Sequence, residues 1–321
     1  MWYLGRSIRT TSLATCGRVS MGGQSLLDRS LGPCYASAMP FRIAMLGDVV
    51  GPSGVQAIEQ QMPQLRQRWQ PDLVIANAEN AHNGSGLTPS LYERLLVSGV
   101  DAMTLGDHVY RRSAITQVLE TKSNIIRPAN ISHLAKGRPW MKLSVIRSGS
   151  NRDQPAIAVY VITVLGRVFS SLPANDPFET VESVLGQLPD LNPIVVVEVH
   201  AEATSEKRAM GYQFDGRVAA VIGTHTHVPT ADAQILPRGT AYITDIGMCG
   251  PYDSILGRRV DRVLKHMTTG MHAPFDVAEG DPRLSGVVVD IDEGTRLSVG
   301  IERIEIPADL SKPPFRAATK T

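Results

Sequence analysis

Short apolar runs that end in a polar group recur along this chain. Ile43-Ala44-Met45-Leu46-Gly47 stops at Asp48, and Leu73-Val74-Ile75-Ala76-Asn77-Ala78 stops at Glu79 and Asn80. Ile194-Val195-Val196-Val197-Glu198-Val199 stops at His200. Each run is short enough to be a buried strand. From residue 41 to residue 105 the pattern reads strand, helix, strand, helix, strand, which argues for parallel βαβ units. Pro63 interrupts the first helical stretch and Pro71 follows its end, while Pro89 sits at a helix start after Thr88, where its missing amide hydrogen matters least. A second set of runs, at 142–147, 156–164, 194–200, 218–222 and 241–244, supplies the strands of another half. Residues 286–291 and 296–304 flank Asp292-Glu293-Gly294-Thr295, a polar turn of the kind that closes a β-hairpin.

The ends of the chain depart from this pattern. Residues 1–40 are rich in Ser, Gly and Arg and lack the continuous apolar stretch of a secretory signal. They read as a non-structural extension, either preceding an alternative start at Met39 or resembling an organelle transit segment. Residues 307–321, with Pro313 and Pro314, read as a flexible tail. The body, 41–306, is expected to be one domain, because its candidate ligands run from Asp48 to His227 and any boundary between them would cut the site.

Charge and cysteine content narrow the function classes. The first forty residues carry a net +3 and the remaining 281 a net −2, so the body lacks the basic excess of a protein that grips long nucleic acid. No apolar run reaches the roughly 18–20 residues that cross a bilayer. Cys16, Cys34 and Cys249 make a disulfide framework improbable; a reducing, cytoplasmic setting fits best, with Cys249 a packed thiol.

Gly223-Thr224-His225-Thr226-His227 and Gly106-Asp107-His108 place histidines beside glycines where apolar segments stop. In an extended segment side chains alternate, so His225 and His227 are expected to project to one side, where a pair of metals can use both; the bland alternative is two solvated histidines. Asp48, Glu79, Asn80, His200 and this pair stand at strand ends, and in open α/β sheets the carboxyl ends of strands are where distant side chains converge. Carboxylates, amide and imidazoles together suit iron, manganese or zinc and are too rich in nitrogen for a calcium or magnesium cage.

Neighbouring segments carry weaker signals. Gly84-Ser85-Gly86 is assigned to a sharp backbone turn behind Glu79 and Asn80 rather than to phosphate binding. Arg111 and Arg112 are either solvated or contacts for a second phosphate, and Arg127 is either a substrate contact or a buried structural arginine. Thr204 or Ser205 is the expected N-cap of a helix after His200, and Glu202 either belongs to that helix start or steadies a metal ligand.

Seven motifs, in order, resemble those of the YmdB-type metallophosphoesterases, a branch of the calcineurin-like superfamily. They are Gly47-Asp48-Val49-Val50-Gly51, Asn77-Ala78-Glu79-Asn80, Gly106-Asp107-His108, Arg127-Pro128-Ala129-Asn130, the run from His200 to Lys207, Gly223-Thr224-His225-Thr226-His227-Val228 and Thr244-Asp245-Ile246-Gly247-Met248. The resemblance spans residues 41 to 306 and implies a four-layer α/β/β/α sandwich with a binuclear metal centre on its rim. It implies phosphodiester hydrolysis, with 2′,3′-cyclic nucleotides as substrates, and two divalent or mixed-valence ions, iron or manganese. Carried over by position, Glu79 bridges the metals; Asp48, Asn80 and His227 hold one, and Asp107, His200 and His225 the other. His108 becomes the general acid, one residue beyond a ligand and titrating close enough to neutrality to donate a proton. The family generally has asparagine at the position of Asp107, and an aromatic and an acidic or amide residue where this chain has Tyr110, Arg111 and Arg112. The expected partner is a small nucleotide or other phosphodiester, with the number of subunits left open, a homo-oligomer included. The competing class is a metal- and nucleotide-binding regulator with little turnover, since binding and turnover use the same ligands.

Overall fold

A computed structural model describes residues 39–147, 155–170 and 172–311. The N-terminal extension expected over 1–40 lies, up to residue 38, outside the described residues, as does the tail beyond residue 311.

Two sheets form the centre. The first contains β1 (Phe41–Leu46), β3 (Leu73–Asn77) and β4 (Ala102–Thr104), parallel to one another, with β12 (Pro282–Ile291) antiparallel to β1. It also takes in the short β2 (Asp48–Val49) and β11 (Met248–Pro251), and β13 (Ser298–Pro307), which pairs with β12 as the expected hairpin. The second sheet runs β5 (Trp140–Val145), β6 (Ile157–Leu165), β7 (Ile194–His200), β8 (Ala220–Thr224), β10 (Ala241–Ile243), β9 (Gln234–Ile235), with β6, β7, β8 and β10 parallel. Each expected run corresponds to a strand, with bounds that differ by no more than four residues and coincide for β7. The paired β2 and β11 and the strand β9 were not anticipated, because two- to four-residue strands carry no periodicity.

Pleating sorts the apolar side chains into three layers. Ile43 and Met45 of β1 face the second sheet and meet Ile194 and Val196 of β7, while Ala44 and Leu46 point the other way. Against those outward residues pack α1 (Gly51–Trp69), α2 (Pro89–Val97) and α3 (Ile115–Thr121). Val195, Val197 and Val199 of β7 face α4 (Pro177–Leu185) and α5 (Thr204–Gln213) through Val181, Val184 and Met210. Helices, sheet, sheet, helices: this is the four-layer α/β/β/α sandwich that was expected. A further helix, α6 (Val260–Thr269), buries only Val263. Among the described residues no helix is long and apolar enough to cross a membrane.

Two local expectations are corrected. Pro63 does not interrupt α1, which continues to Trp69 with Pro63 inside it. Val55, Ile58, Met62, Leu65 and Trp69 recur at three- and four-residue spacing and are all buried. At about 1.5–3 kcal/mol for each such side chain, that face outweighs the roughly 3 kcal/mol an interior proline costs. The N-cap of α5 is Ala203, without a side-chain cap, rather than Thr204 or Ser205. Thr88 does cap α2, accepting from Leu91 N, with Pro89 in the first turn.

Candidate metal centre

All the parallel strands that carry candidate residues end at one rim. Asp48 follows β1, Glu79 and Asn80 follow β3, Asp107 and His108 follow β4, His200 closes β7, and His225 and His227 follow β8. The first sheet thus contributes the oxygen donors and His108, and the second contributes the other three imidazoles.

The structure brings these eight residues together. Glu79, Asp107, His200 and His225 offer ligand atoms that all lie within 4.8 Å of one another. His200 Nε2 is 3.0 Å from Asp107 Oδ1, 3.2 Å from Glu79 Oε1 and 3.1 Å from His225 Nδ1. On the other side of Glu79, His227 Nε2 is 3.3 Å from Asn80 Nδ2 and 3.5 Å from Asp48 Oδ2. His108 sits between, its backbone N–H donating to Glu79 Oε2 at 2.9 Å and its Nδ1 2.7 Å from Asn80 Oδ1.

Several features fit cations here. Asp48 is fully buried, and its Oδ1 has no hydrogen-bond partner among the described residues. A carboxylate oxygen stripped of water in this way is costly unless a positive charge faces it. A Cβ on Gly106 would stand 2.3 Å from His200 Nε2 and 2.5 Å from Glu79 Oε2, so glycine keeps the space between these donors open. The mixed oxygen and imidazole set suits iron, manganese or zinc.

Electrostatics separate the residues. Burial pushes the Asp48 carboxyl well up, against the pull of His200. Burial also acts to raise Glu79 and Asp107, yet both end low: the charge of His200 and hydrogen bonds from His108 and His200 dominate for Glu79, and hydrogen bonds from His200 and His225 for Asp107. Burial lowers His227 to about 4, leaving it a neutral imidazole at neutral pH. For His108, burial lowers and Glu79 raises, and the net direction is up.

The geometry of the two histidines after β8 corrects the pleat argument. The strand stops at Thr224, and His225 (φ 94°) and His227 (φ 64°) are both left-handed. That conformation is strained for any residue with a Cβ. Instead of facing one side by alternation, His225 turns to Asp107 and His227 to Asp48. Asp245 holds the bend: its Oδ2 accepts from Thr226 N (3.1 Å) and Thr226 Oγ1 (2.8 Å), and its Oδ1 from Gly247 N (2.8 Å). Lys207, wholly buried, neutralises it at 2.8 Å.

His200 is oriented from behind. Its Nδ1 is 2.9 Å from Thr224 Oγ1, which donates at 2.8 Å to Glu198 Oε1. Because the Thr224 hydroxyl proton is committed to Glu198, its oxygen accepts from His200 Nδ1–H, which fixes the ring with Nε2 toward the cluster. Glu198, fully buried between the sheets, also accepts from Asn77 Nδ2 (2.6 Å) and Thr163 Oγ1 (3.2 Å). Sequence reasoning passed over Asn77, Glu198, Thr224, Lys207 and Asp245 as site residues. The available signal was a polar residue inside an otherwise apolar strand, as Asn77 and Glu198 are.

Around this centre, Arg127 is a buried structural arginine, donating to Pro128 O and Ala135 O, while Arg111 and Arg112 are exposed. Gly84 and Gly86 have positive φ, and Gly86 N donates to Glu79 O, which is the backbone turn expected there. Glu202 lies 3.5 Å from His225 Nε2. Cys249 is buried, with its thiol 3.3 Å from Ser285 O and its pKa pushed up to about 12 by burial.

A four-layer sandwich with carboxylate, amide and imidazole groups gathered at its strand ends defines a candidate metal-binding α/β protein. The model of the family described as YmdB-like protein matches residues 44–304, and the chain belongs to that family. It is 42% identical over 268 residues to the 2′,3′-cyclic-nucleotide 2′-phosphodiesterase of Bacillus subtilis (strain 168), covering 84% of this chain and 98% of that protein. It is 34% identical over 280 residues to a putative phosphatase/phosphodiesterase of Mycoplasma pneumoniae, covering 84% and 94%. Among solved structures it resembles a hypothetical protein from Thermus thermophilus, with a TM-score of 0.76 and 36% identity over 84% of this chain and 100% of that one. A structure described as a novel phosphatase from Mycoplasma pneumoniae matches with the same TM-score, 0.76, and 32% identity, over 86% and 98%.

Proposed function

We propose that this chain is a metal-dependent phosphodiesterase that opens 2′,3′-cyclic nucleotides at the 2′ ester. The observation that carries this reading is the meeting of six donors from two sheets around a seventh, Glu79, with His108 beside them but bonded to Asn80 and Glu79. The relative from Bacillus subtilis, matched over nearly its whole length, supports the substrate class. In this reading Glu79 would serve both cations, Asp48, Asn80 and His227 would hold one, and Asp107, His200 and His225 would hold the other. Iron or manganese suits these donors. Bound there, two cations supply Lewis acidity, polarising the phosphoryl oxygens and steadying charge on the leaving oxygen.

The remaining work falls to the chain. Glu198 and Thr224 fix the ring of His200, and Lys207 and Asp245 hold the strained bend that carries His225 and His227. Glu79 raises the pKa of His108 against the desolvation that lowers it, and His108 delivers a proton to the O2′ oxygen as water attacks phosphorus and the P–O2′ bond breaks, the proton lost by that water passing to solvent. The product is the nucleoside 3′-phosphate. Every residue in this scheme falls between Asp48 and Asp245, so residues 41–306 carry the activity, and the sparse cysteines suit a reducing cytoplasm.

The test is turnover of adenosine 2′,3′-cyclic phosphate and of an aryl phosphodiester, with manganese or ferrous iron added and then after chelation. Turnover that disappears with the metal and returns on its addition is expected. Turnover indifferent to complete metal removal, or tight nucleotide binding with no turnover in either metal, would overturn the proposal, the second result favouring a regulator.

A further inference from the structure

A cavity of about 320 Å³ opens beside the metal centre. Its lining combines Asp107, His200 and His225 with the apolar Leu165, Phe169 and Leu172. Pockets of this size hold small organic ligands, and the pairing of an apolar wall with a polar one orients them.

Phe169 is the unusual member. Its side chain is 85% exposed although it lines the cavity, and its backbone φ of +64° lies in the left-handed region that residues with a Cβ seldom adopt. An exposed aromatic alone means little. Here, however, the loop that presents it is clamped. Gly166 N donates to the backbone oxygen of His200 itself at 3.0 Å. Arg167 N donates to both oxygens of Glu206, at 2.9 and 3.0 Å, and Val168 N to one of them at 3.3 Å. Glu206 is buried in the first turn of α5, and its carboxylate, which in a helix start commonly reaches back to the cap, is committed to this loop. A Cβ on Gly166 would stand 2.4 Å from both Ala201 Cβ and Glu206 Oε2, so the loop lies hard against the segment carrying His200. The position of Phe169 is therefore tied to that of a metal-centre histidine.

We propose that Phe169 is the stacking platform for the nucleobase of the substrate, an inference that rests on the phosphodiesterase reading above and assigns its base subsite. With the cyclic phosphate at the centre, the ribose crosses the cavity and the base reaches the apolar wall, where the face of Phe169 meets its π-face. Stacking of this kind is tolerant of base identity, because every base offers a π-face. The subsite thus supplies affinity for nucleotides over bare sugar phosphates, with little preference among the four bases.

The experiment compares the metal-loaded wild-type protein with Phe169→Ala and Phe169→Trp on two substrates that share one scissile group, adenosine 2′,3′-cyclic phosphate and the base-free 1-O-methylribose 2′,3′-cyclic phosphate. Loss of one stacking partner is expected to raise KM for the nucleotide about tenfold with little change in kcat, to leave the base-free substrate unchanged, and to be restored by tryptophan. Equal losses on both substrates, or none on the nucleotide, would overturn the subsite. Calorimetric binding of adenosine 3′-phosphate supplies a reading independent of turnover: about tenfold weaker binding to Phe169→Ala supports the platform, and equal binding refutes it. Failure of the phosphodiesterase reading looks different, since the wild-type protein would then turn over neither cyclic phosphate while the binding comparison still decides the role of Phe169.

Discussion

The two ends of the candidate metal centre use similar donors in opposite electrostatic states. At the Asp107 end, a carboxylate and two imidazoles lie 3.0 to 3.4 Å apart and compensate one another, so Asp107 is held low. Behind them the Thr224 and Glu198 hydrogen bonds anchor His200. At the Asp48 end, the carboxylate has an oxygen with no hydrogen-bond partner among the described residues, its pKa is driven up by burial, and His227 is driven down to about 4. One end is prepared by the protein's own charges; the other is left short of positive charge. A metal site can thus be preorganised by hydrogen bonds on one side while the opposite side depends on the ion to offset desolvation. Glu79 joins the two, touching His200 at one end and Asn80 and His108 between them.

The largest effect is expected where the two ends meet. If Glu79 is the donor common to both, as proposed, elemental analysis of the purified Glu79→Ala variant should show both cations depleted and turnover reduced by more than the roughly 10–100-fold that outer partners of metal ligands carry. A full complement of two ions in this variant would divide the centre into independent halves joined by nothing at Glu79.

His108→Ala should retain both cations and lose about 10²–10⁴-fold in turnover on a substrate with a poor leaving group, with a far smaller loss on an activated aryl ester. Equal losses on the two esters would argue against proton donation, and loss of cations would place His108 among the ligands.

Glu198→Gln separates the two ends, because its hydrogen bonds reach the Asp107 end through Thr224 and His200 but do not reach His227. A fall of about tenfold in the affinity for one cation, with the other unchanged in a two-site titration, is the expected result. Equal weakening of both sites would show that the anchor is a general property of the sheet interface.

Cys249 carries the mildest consequence and probes the Asp48 end from beneath, since β11 pairs Cys249 with Val49. Burial, with a smaller contribution from the charge of Asp48, raises its pKa from 9.0 to about 12. The unfolded chain therefore releases a proton near pH 9 that the folded chain retains, so stability falls as pH rises from about 9 toward 12. At mildly alkaline pH, peptide mapping after alkylation should find Cys249 unmodified in the native protein and modified after unfolding; rapid native labelling would mean that the Asp48 end opens readily.

Much of this centre was legible in the sequence. Asp48, Glu79, Asn80 and His200 announce themselves because an apolar run that stops at a chelating group marks a strand end, and parallel strands bring their ends to one rim. For His225 and His227 the expected pleat alternation fails, since it does not extend beyond Thr224. Pro63 reads as a helix break because local rules weigh a proline without knowing that Val55, Ile58, Met62, Leu65 and Trp69 are buried against a sheet. Glu198 and Lys207 escape notice because a buried polar residue declares itself only when its partners, 26 to 121 residues away for Glu198 and 38 for Lys207, are brought beside it.

The amino-acid order alone settles what is local and periodic: the succession of strands and helices, the two-residue alternation that sorts β1 and β7 into inner and outer faces, the capping of α2 by Thr88, and the chemical types of the donors. Everything that depends on the two sheets meeting was left to the tertiary structure. The pairing of oxygen donors from the first sheet with imidazoles from the second, the left-handed bend clasped by Asp245 and Lys207, the anchoring of His200 by Glu198 and the perch of Phe169 are all of this kind. The physical reason is that hydrophobic patterning acts through burial, which any apolar residue of the right period can supply, whereas hydrogen bonds and charge compensation require particular atoms within about 3 Å of one another, a condition that no single segment of the chain can specify alone.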